Sequence, residues 1–313
     1  MRLEDVSKSG LDLILPISLI ILAETLIFLG NMKAAMIVHA LNLMLLILSS
    51  IYIDNRIASA LMLLPLFRLL NVAMPVFFDL TIYTYPLVYC PMFVPIYLIL
   101  REGMLTRSQA GLTTKGFLLY LPLAMVVGFA LGWGEYNILH TGVLIPDVSL
   151  KNILILSLTM ILFVGVVEEF VFRSALQTLM EERLGPIPGL LVTSVIFGVM
   201  HSGYRLPVEI LFVSLAGVVF GLLFWMTRSL PIIALAHGLT NVSLFLISPA
   251  YSGALIYLIG IPGVLFLLSV SIIKRLPRKL EPINIRSQNG ESQERNSTIK
   301  KSLGVSFEAE DTE

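Results

Sequence analysis

Between residues 11 and 273 the chain passes through one apolar run after another, each close to the ~20 residues a helix needs to cross a bilayer core. Ten segments fit that template: 11–30, 34–53, 57–79, 82–100, 116–133, 151–180, 187–201, 207–226, 231–248 and 254–273. In lipid the backbone must satisfy its own hydrogen bonds, which leaves helices or a closed barrel. A barrel would show period-two alternation in segments of about ten residues, and these unbroken runs do not. Composition agrees. Of 313 residues 57% are hydrophobic and only 13% charged, against about 25% charged in a soluble domain, too few to cover a water-facing surface. The expected fold is all-α, a polytopic transmembrane bundle of about 8–10 spans, because the close spacing of the first four allows fewer crossings than ten.

Short loops set the expected orientation, since lysine and arginine collect on the cytoplasmic side. The loop 101–115 carries Arg101, Arg107 and Lys115, and the segment after the last span carries Lys274, Arg275, Arg278 and Lys279. The loop "WGEYNILHTGVLIPD" has no lysine or arginine. Ten crossings then put both termini in the cytoplasm, with Lys33 and Arg205 against the trend, in a protein expected in the plasma membrane. The N-terminal run has mixed charge before it and no small-residue cleavage site after it, so it reads as a retained span. Residues 274–313 turn polar and charge-rich, the composition of a disordered tail. A net charge of zero gives no sign of a nucleic-acid partner. The single cysteine, Cys90, lies in an apolar run and is expected buried and inert.

Against this background a few charges stand out, because intramembrane charges usually face the bundle interior and mark a site. Glu24, Arg68 and Asp79 read as structural, with Arg68 and Asp79 near span ends or paired together. His39 reads as an interhelical hydrogen-bonder. The stretch "VVEEFVFR" is different. Glu168 and Glu169 are adjacent, and Arg173 follows Glu169 by four, the favourable order for a helical ion pair. Neighbouring helical positions point about 100° apart, so one glutamate pairs with Arg173 while the other addresses a cavity or another helix. On later spans "FGVMH" offers His201, and "HGLTN" places His237 and Asn241 on one helix face. Three helices thus supply polar groups in costly places, which is best explained by convergence on one hydrated pocket.

These three motifs, EExxxR, FxxxH and HxxxN in that order on apolar helices, resemble the CPBP intramembrane proteases, which include the type II CAAX prenyl proteases. The resemblance covers roughly 150–248 and makes that segment the expected catalytic core. It leaves 1–133 as N-terminal spans without an assigned role, 254–273 as a final span and 274–313 as a polar tail. What it implies is an intramembrane endopeptidase acting on a membrane-embedded or lipid-anchored protein. Glu168 would activate a water, His201 would hold it, and His237 and Asn241 would bind the oxyanion. Glu169 and Arg173 would support Glu168. Signatures of other intramembrane proteases (HExxH, GxGD, GxSG) are absent.

The resemblance leaves the cofactor open. Glu168, His201 and His237 make a His₂Glu set, a ligation known for catalytic zinc, so one divalent metal is an alternative to none. The lean is to none, because Asn241 beside His237 suits an oxyanion hole and no further carboxylate is evident to hold a ligand histidine. Two other functions use the same cavity. A transporter would carry intramembrane carboxylates as a relay and show an inverted repeat, of which no second copy is visible. A non-proteolytic scaffold or immunity protein would keep the fold without the reaction. His201 near the outer end of its span and His237 near the inner end of its own can meet only if helices tilt, break or start below the surface.

Overall fold

The computed structural model describes residues 10–53 and 55–275. The chain divides into Met1–Ser269, which holds the bundle, and a unit from Val270, described only as the last turn and a half of a helix. The expected disorder of 274–313 falls almost wholly outside the described residues.

Among the described residues eight helical runs are long and apolar enough to cross a membrane. The protein is an integral membrane protein, with the apolar side chains of its outer surface facing lipid. We label the elements α1 (Leu11–Phe28), α2 (Met32–Ile53), α3 (Arg56–Val76), α4 (Tyr85–Arg101), α5 (Phe117–Leu139), α6 (Leu150–Leu184), α7 (Pro186–Val199), α8 (Pro207–Thr227), α9 (Leu230–Val242) and α10 (Leu255–Arg275). Asn55 starts α3 by accepting from the backbone N–H groups of Ile57 and Ala58, at 3.0 and 3.4 Å. Such a cap satisfies donors that a helix start otherwise leaves unpaired.

Three of the ten expected spans differ, which brings ten to eight. The segment 82–100 is α4, shorter than a crossing and broken by a 3₁₀ turn at Cys90–Met92. Pro86, Pro91 and Pro95 withhold N–H donors there, so the run bends instead of spanning. The spans 231–248 and 254–273 form one apolar run, Leu230–Ser271, interrupted by a 3₁₀ turn at Ser252–Ala254 and by Tyr251, whose φ of −140° is not helical. Cys90 is also corrected: its thiol is exposed on the bundle surface, as an apolar group can be when the neighbouring solvent is lipid.

Small residues let the central helices approach closely, the usual device where lipid removes the hydrophobic drive between helices. Gly128 and Gly132 of α5 sit one turn apart against the backbone carbonyls of Ala236 and Thr240 on α9. On the other side of α9, Gly238 packs onto the backbone of Ile161, and Gly165 of α6 packs onto the Ala234 carbonyl. α9 is thereby held between α5 and α6. Helix α6 is not regular. It widens into π-helical turns at Thr159–Gly165 and Phe170–Gln177, and only Val166–Glu169 between them keeps α-helical bonding. π-Turns inside helices are frequent at functional sites, and here they bracket the glutamate pair.

Candidate active site

The two glutamates diverge as their spacing requires. Glu169 is fully buried and turns towards Arg173 and His237; Glu168 turns into a cavity of about 330 Å³. Arg173 Nε lies 3.3 Å from Glu169 Oε2, both groups having no exposure. The guanidinium also sits against three aromatic rings, 4.7 Å from the centroid of Phe197 and 5.9 Å from those of Phe172 and Phe220. Ring faces attract a cation, so the aromatic box and Glu169 together compensate a charge buried without well-directed hydrogen bonds.

Glu169 has a second task. Its Oε1 is 2.7 Å from His237 Nδ1. An ionised carboxylate only accepts, so Nδ1 carries the hydrogen and Nε2 is the free face of the ring. That face looks at Glu168, with Nε2 3.8 Å from Oε2. Phe220 stacks on the imidazole at 5.3 Å and 5°, fixing its plane. The same logic orients His201. Its Nδ1 is 2.9 Å from the Phe197 carbonyl oxygen, which leaves Nε2 without a hydrogen in the neutral ring. His201 and Glu168 both line the cavity. The Phe197 ring is 5.0 Å from His201 and 5.9 Å from His237, so one side chain touches both imidazoles.

Phe197 of α7 brings the two histidines to one side chain, and His201 stands between the end of α7 at Val199 and the 3₁₀ turn Ser202–Tyr204. His237 lies two turns into α9. Asn241 follows one turn later and is half-buried; it is not among the cavity's lining residues, and neither is His237.

The amino-terminal spans build the opposite wall, which the sequence left without a role. Phe67, Arg68, Tyr85 and Tyr89 line the cavity, and Tyr89 Oη donates to Glu168 Oε1 at 2.8 Å. Arg68 does not pair with Asp79. Its Nε and Nη2 lie 2.7 and 2.9 Å from the two oxygens of Glu24 on α1, and Nη2 also donates to the Met200 carbonyl beside His201. Glu24 further accepts from Ser202 Oγ at 2.5 Å and lies 3.2 Å from His39 Nε2, so His39 is the interhelical partner expected of it.

Glu169 holds His237 from behind, which supplies the second carboxylate that the sequence did not reveal and removes that argument against an ion. Among the described residues, however, no three His, Cys, Asp or Glu side chains lie close enough together to hold one. Glu168, His201 and His237 are therefore not a preformed ligand set.

An all-helical bundle of apolar helices with a buried carboxylate beside two imidazoles defines the class: an integral membrane protein with a polar centre. Residues 150–243 match the family model described as Type II CAAX prenyl endopeptidase Rce1-like. It contains all six residues singled out from the sequence, in agreement with the resemblance to the CPBP proteases. No curated protein and no solved structure matches the chain.

Proposed function

We propose that the protein is an intramembrane endopeptidase that hydrolyses a peptide bond of a membrane-embedded or lipid-anchored protein with a water activated by Glu168. The observation that carries the reading is the carboxylate of Glu168, buried in the bundle yet facing a cavity it shares with His201 and lying 3.8 Å from His237 Nε2. A water in that cavity about 2.8 Å from Oε2 would donate to the carboxylate. A general base must be within such reach of the proton it takes.

In the reaction, the water oxygen attacks the scissile carbonyl carbon as its proton passes to Glu168. His201 Nε2, free because Nδ1 is bound to Phe197, accepts from the water and aligns it. The carbonyl oxygen becomes negative, and the Asn241 amide donates to it. His237 can donate from Nε2 only as an imidazolium, a form favoured by Glu169 on Nδ1, as a carboxylate steadies the imidazole of a triad. Single donors of this kind are worth about 2.7–4 kcal/mol where they have been removed. The C–N bond then breaks, the proton on Glu168 moves to the leaving amine, and a carboxylic acid and an amine depart. Each of these steps uses the chain's own groups. The basic loop 101–115 supports a cytoplasmic placement of that side.

The test uses purified protein in nanodiscs with a prenylated peptide ending in a CAAX box, the substrate type in the family's description, alongside proteomic comparison of membranes carrying wild type or Glu168→Gln. Cleavage, or uncut proteins accumulating with the variant, is expected. Cleavage that survives both Glu168→Ala and His201→Ala overturns the mechanism, and metal analysis of the active protein decides the cofactor.

A further inference from the structure

Tyr89 lies outside the matched segment, on a proline-bent piece of chain that does not complete a crossing, yet its phenol reaches the centre of the site. The ring is nearly buried, at 7% exposure, and is fixed on two sides. Phe67 of α3 meets it edge-on at 5.4 Å, and Tyr85, one turn earlier, lies parallel to it at 6.2 Å. Its placement follows from the local sequence. Pro91 opens the 3₁₀ turn Cys90–Met92, and Tyr89 is the last residue before that turn. The hydroxyl has a single acceptor, Glu168 Oε1, and the bond is buried. The other oxygen, Oε2, faces His237 Nε2. The two oxygens are therefore distinguished, one tied to a phenol and the other turned to the imidazole.

We infer that Tyr89 is a positioning residue for Glu168: by holding Oε1 it fixes the rotation of the carboxylate so that Oε2 is presented to the water. This rests on the reading of Glu168 as the base. Without the phenol, the carboxylate can turn about its last bond, a torsion with a broad and weakly restrained profile. Hydrogen bonds to charged groups are among the stronger ones in a buried site, so its loss is felt by the reacting atoms. The amino-terminal spans are then part of the active centre, supplying a contact that the matched segment lacks.

Tyr89→Phe tests this because it keeps the ring and its packing and removes only the donor. In the full-length protein, kcat is expected to fall roughly 10- to 100-fold with KM changed less than about twofold and the unfolding midpoint retained. Tyr83→Phe is the control. It removes a 2.5 Å phenol bond to Asn152 at the start of α6, away from Glu168, and is expected to leave kcat within about twofold. A second readout needs no substrate: the Glu168 carboxylate band, isolated by subtracting the infrared spectrum of Glu168→Gln, is expected to move in Tyr89→Phe and stay in place in Tyr83→Phe. An unmoved band in Tyr89→Phe overturns the inference, and so does a moved band with unchanged kcat. If the wild type cleaves nothing while the band moves, the contact stands and the proposed function fails.

Discussion

The cluster around Glu24 makes a prediction that can be worked from its geometry. Glu24 has no exposure, and Arg68 only 13%. The carboxylate meets Arg68 through two hydrogen bonds of 2.7 and 2.9 Å, Ser202 Oγ at 2.5 Å and His39 Nε2 at 3.2 Å. Replacing Glu24 by Met would leave a guanidinium, a hydroxyl and an imidazole without their acceptor. Breaking a buried pair from one side typically costs about 3–5 kcal/mol, a large share of the roughly 5–15 kcal/mol that holds a folded chain. Arg68→Met should cost a similar amount, because it strands the carboxylate. The double variant leaves neither charge, and well-packed apolar replacements of buried pairs are often close to neutral. Reversible unfolding in bicelles should therefore give a coupling of about 6–10 kcal/mol between the two positions, the two single costs set against a near-neutral double. Activity should not recover with stability, because Arg68 also holds the Met200 carbonyl and Glu24 holds Ser202, the residues on either side of His201. Two single variants that each cost less than about 0.5 kcal/mol and simply add would refute the reasoning.

Two further outcomes follow from the packing and charge of α9. A methyl at Gly238 would lie 2.5 Å from Ile161 Cγ1 and 2.6 Å from its Cα, so Gly238→Ala should force α9 off α6, lowering stability by about 1–3 kcal/mol and breaking the Glu169–His237 contact; Gly260→Ala, with open space around it, should change neither the unfolding midpoint nor cleavage. Glu169→Gln keeps an acceptor for His237 but strips Arg173 of its charge partner, so it should cost about 3 kcal/mol or more in unfolding measurements and reduce turnover at least tenfold, while adding Arg173→Met should restore stability and not turnover.

The sequence made some of this centre legible and hid the rest for physical reasons. Adjacent positions on a helix cannot share a direction, and that alone separated the buried partner Glu169 from the cavity-facing Glu168. Polar groups in apolar helices also pointed to His201 and His237, since each is costly in isolation. Tyr89 carried no such signal. A tyrosine in a membrane helix is ordinary, and its bond to Glu168 joins positions 79 residues apart. The Glu24–Arg68 pair was missed for the same reason: it spans 44 residues, while Asp79 offered a nearer acidic partner in sequence. The segment 82–100 does not cross because three prolines within ten residues bend it, a feature that apolar content does not register. Apolar content says a segment prefers lipid; it does not say that the segment is straight.

The incomplete crossing of α4 reaches beyond the protein itself. A membrane helix that falls short of the surrounding hydrocarbon is accommodated by thinning of the adjacent leaflets or by snorkelling flanks, at fractions of a kcal/mol per ångström. Beside α4, whose Tyr85 and Tyr89 line the cavity, lipid headgroups and their hydration would be drawn inward. Acyl-chain length would then bear on the centre: short-chain bilayers would favour its wetting, and long-chain or sterol-stiffened ones would dry it.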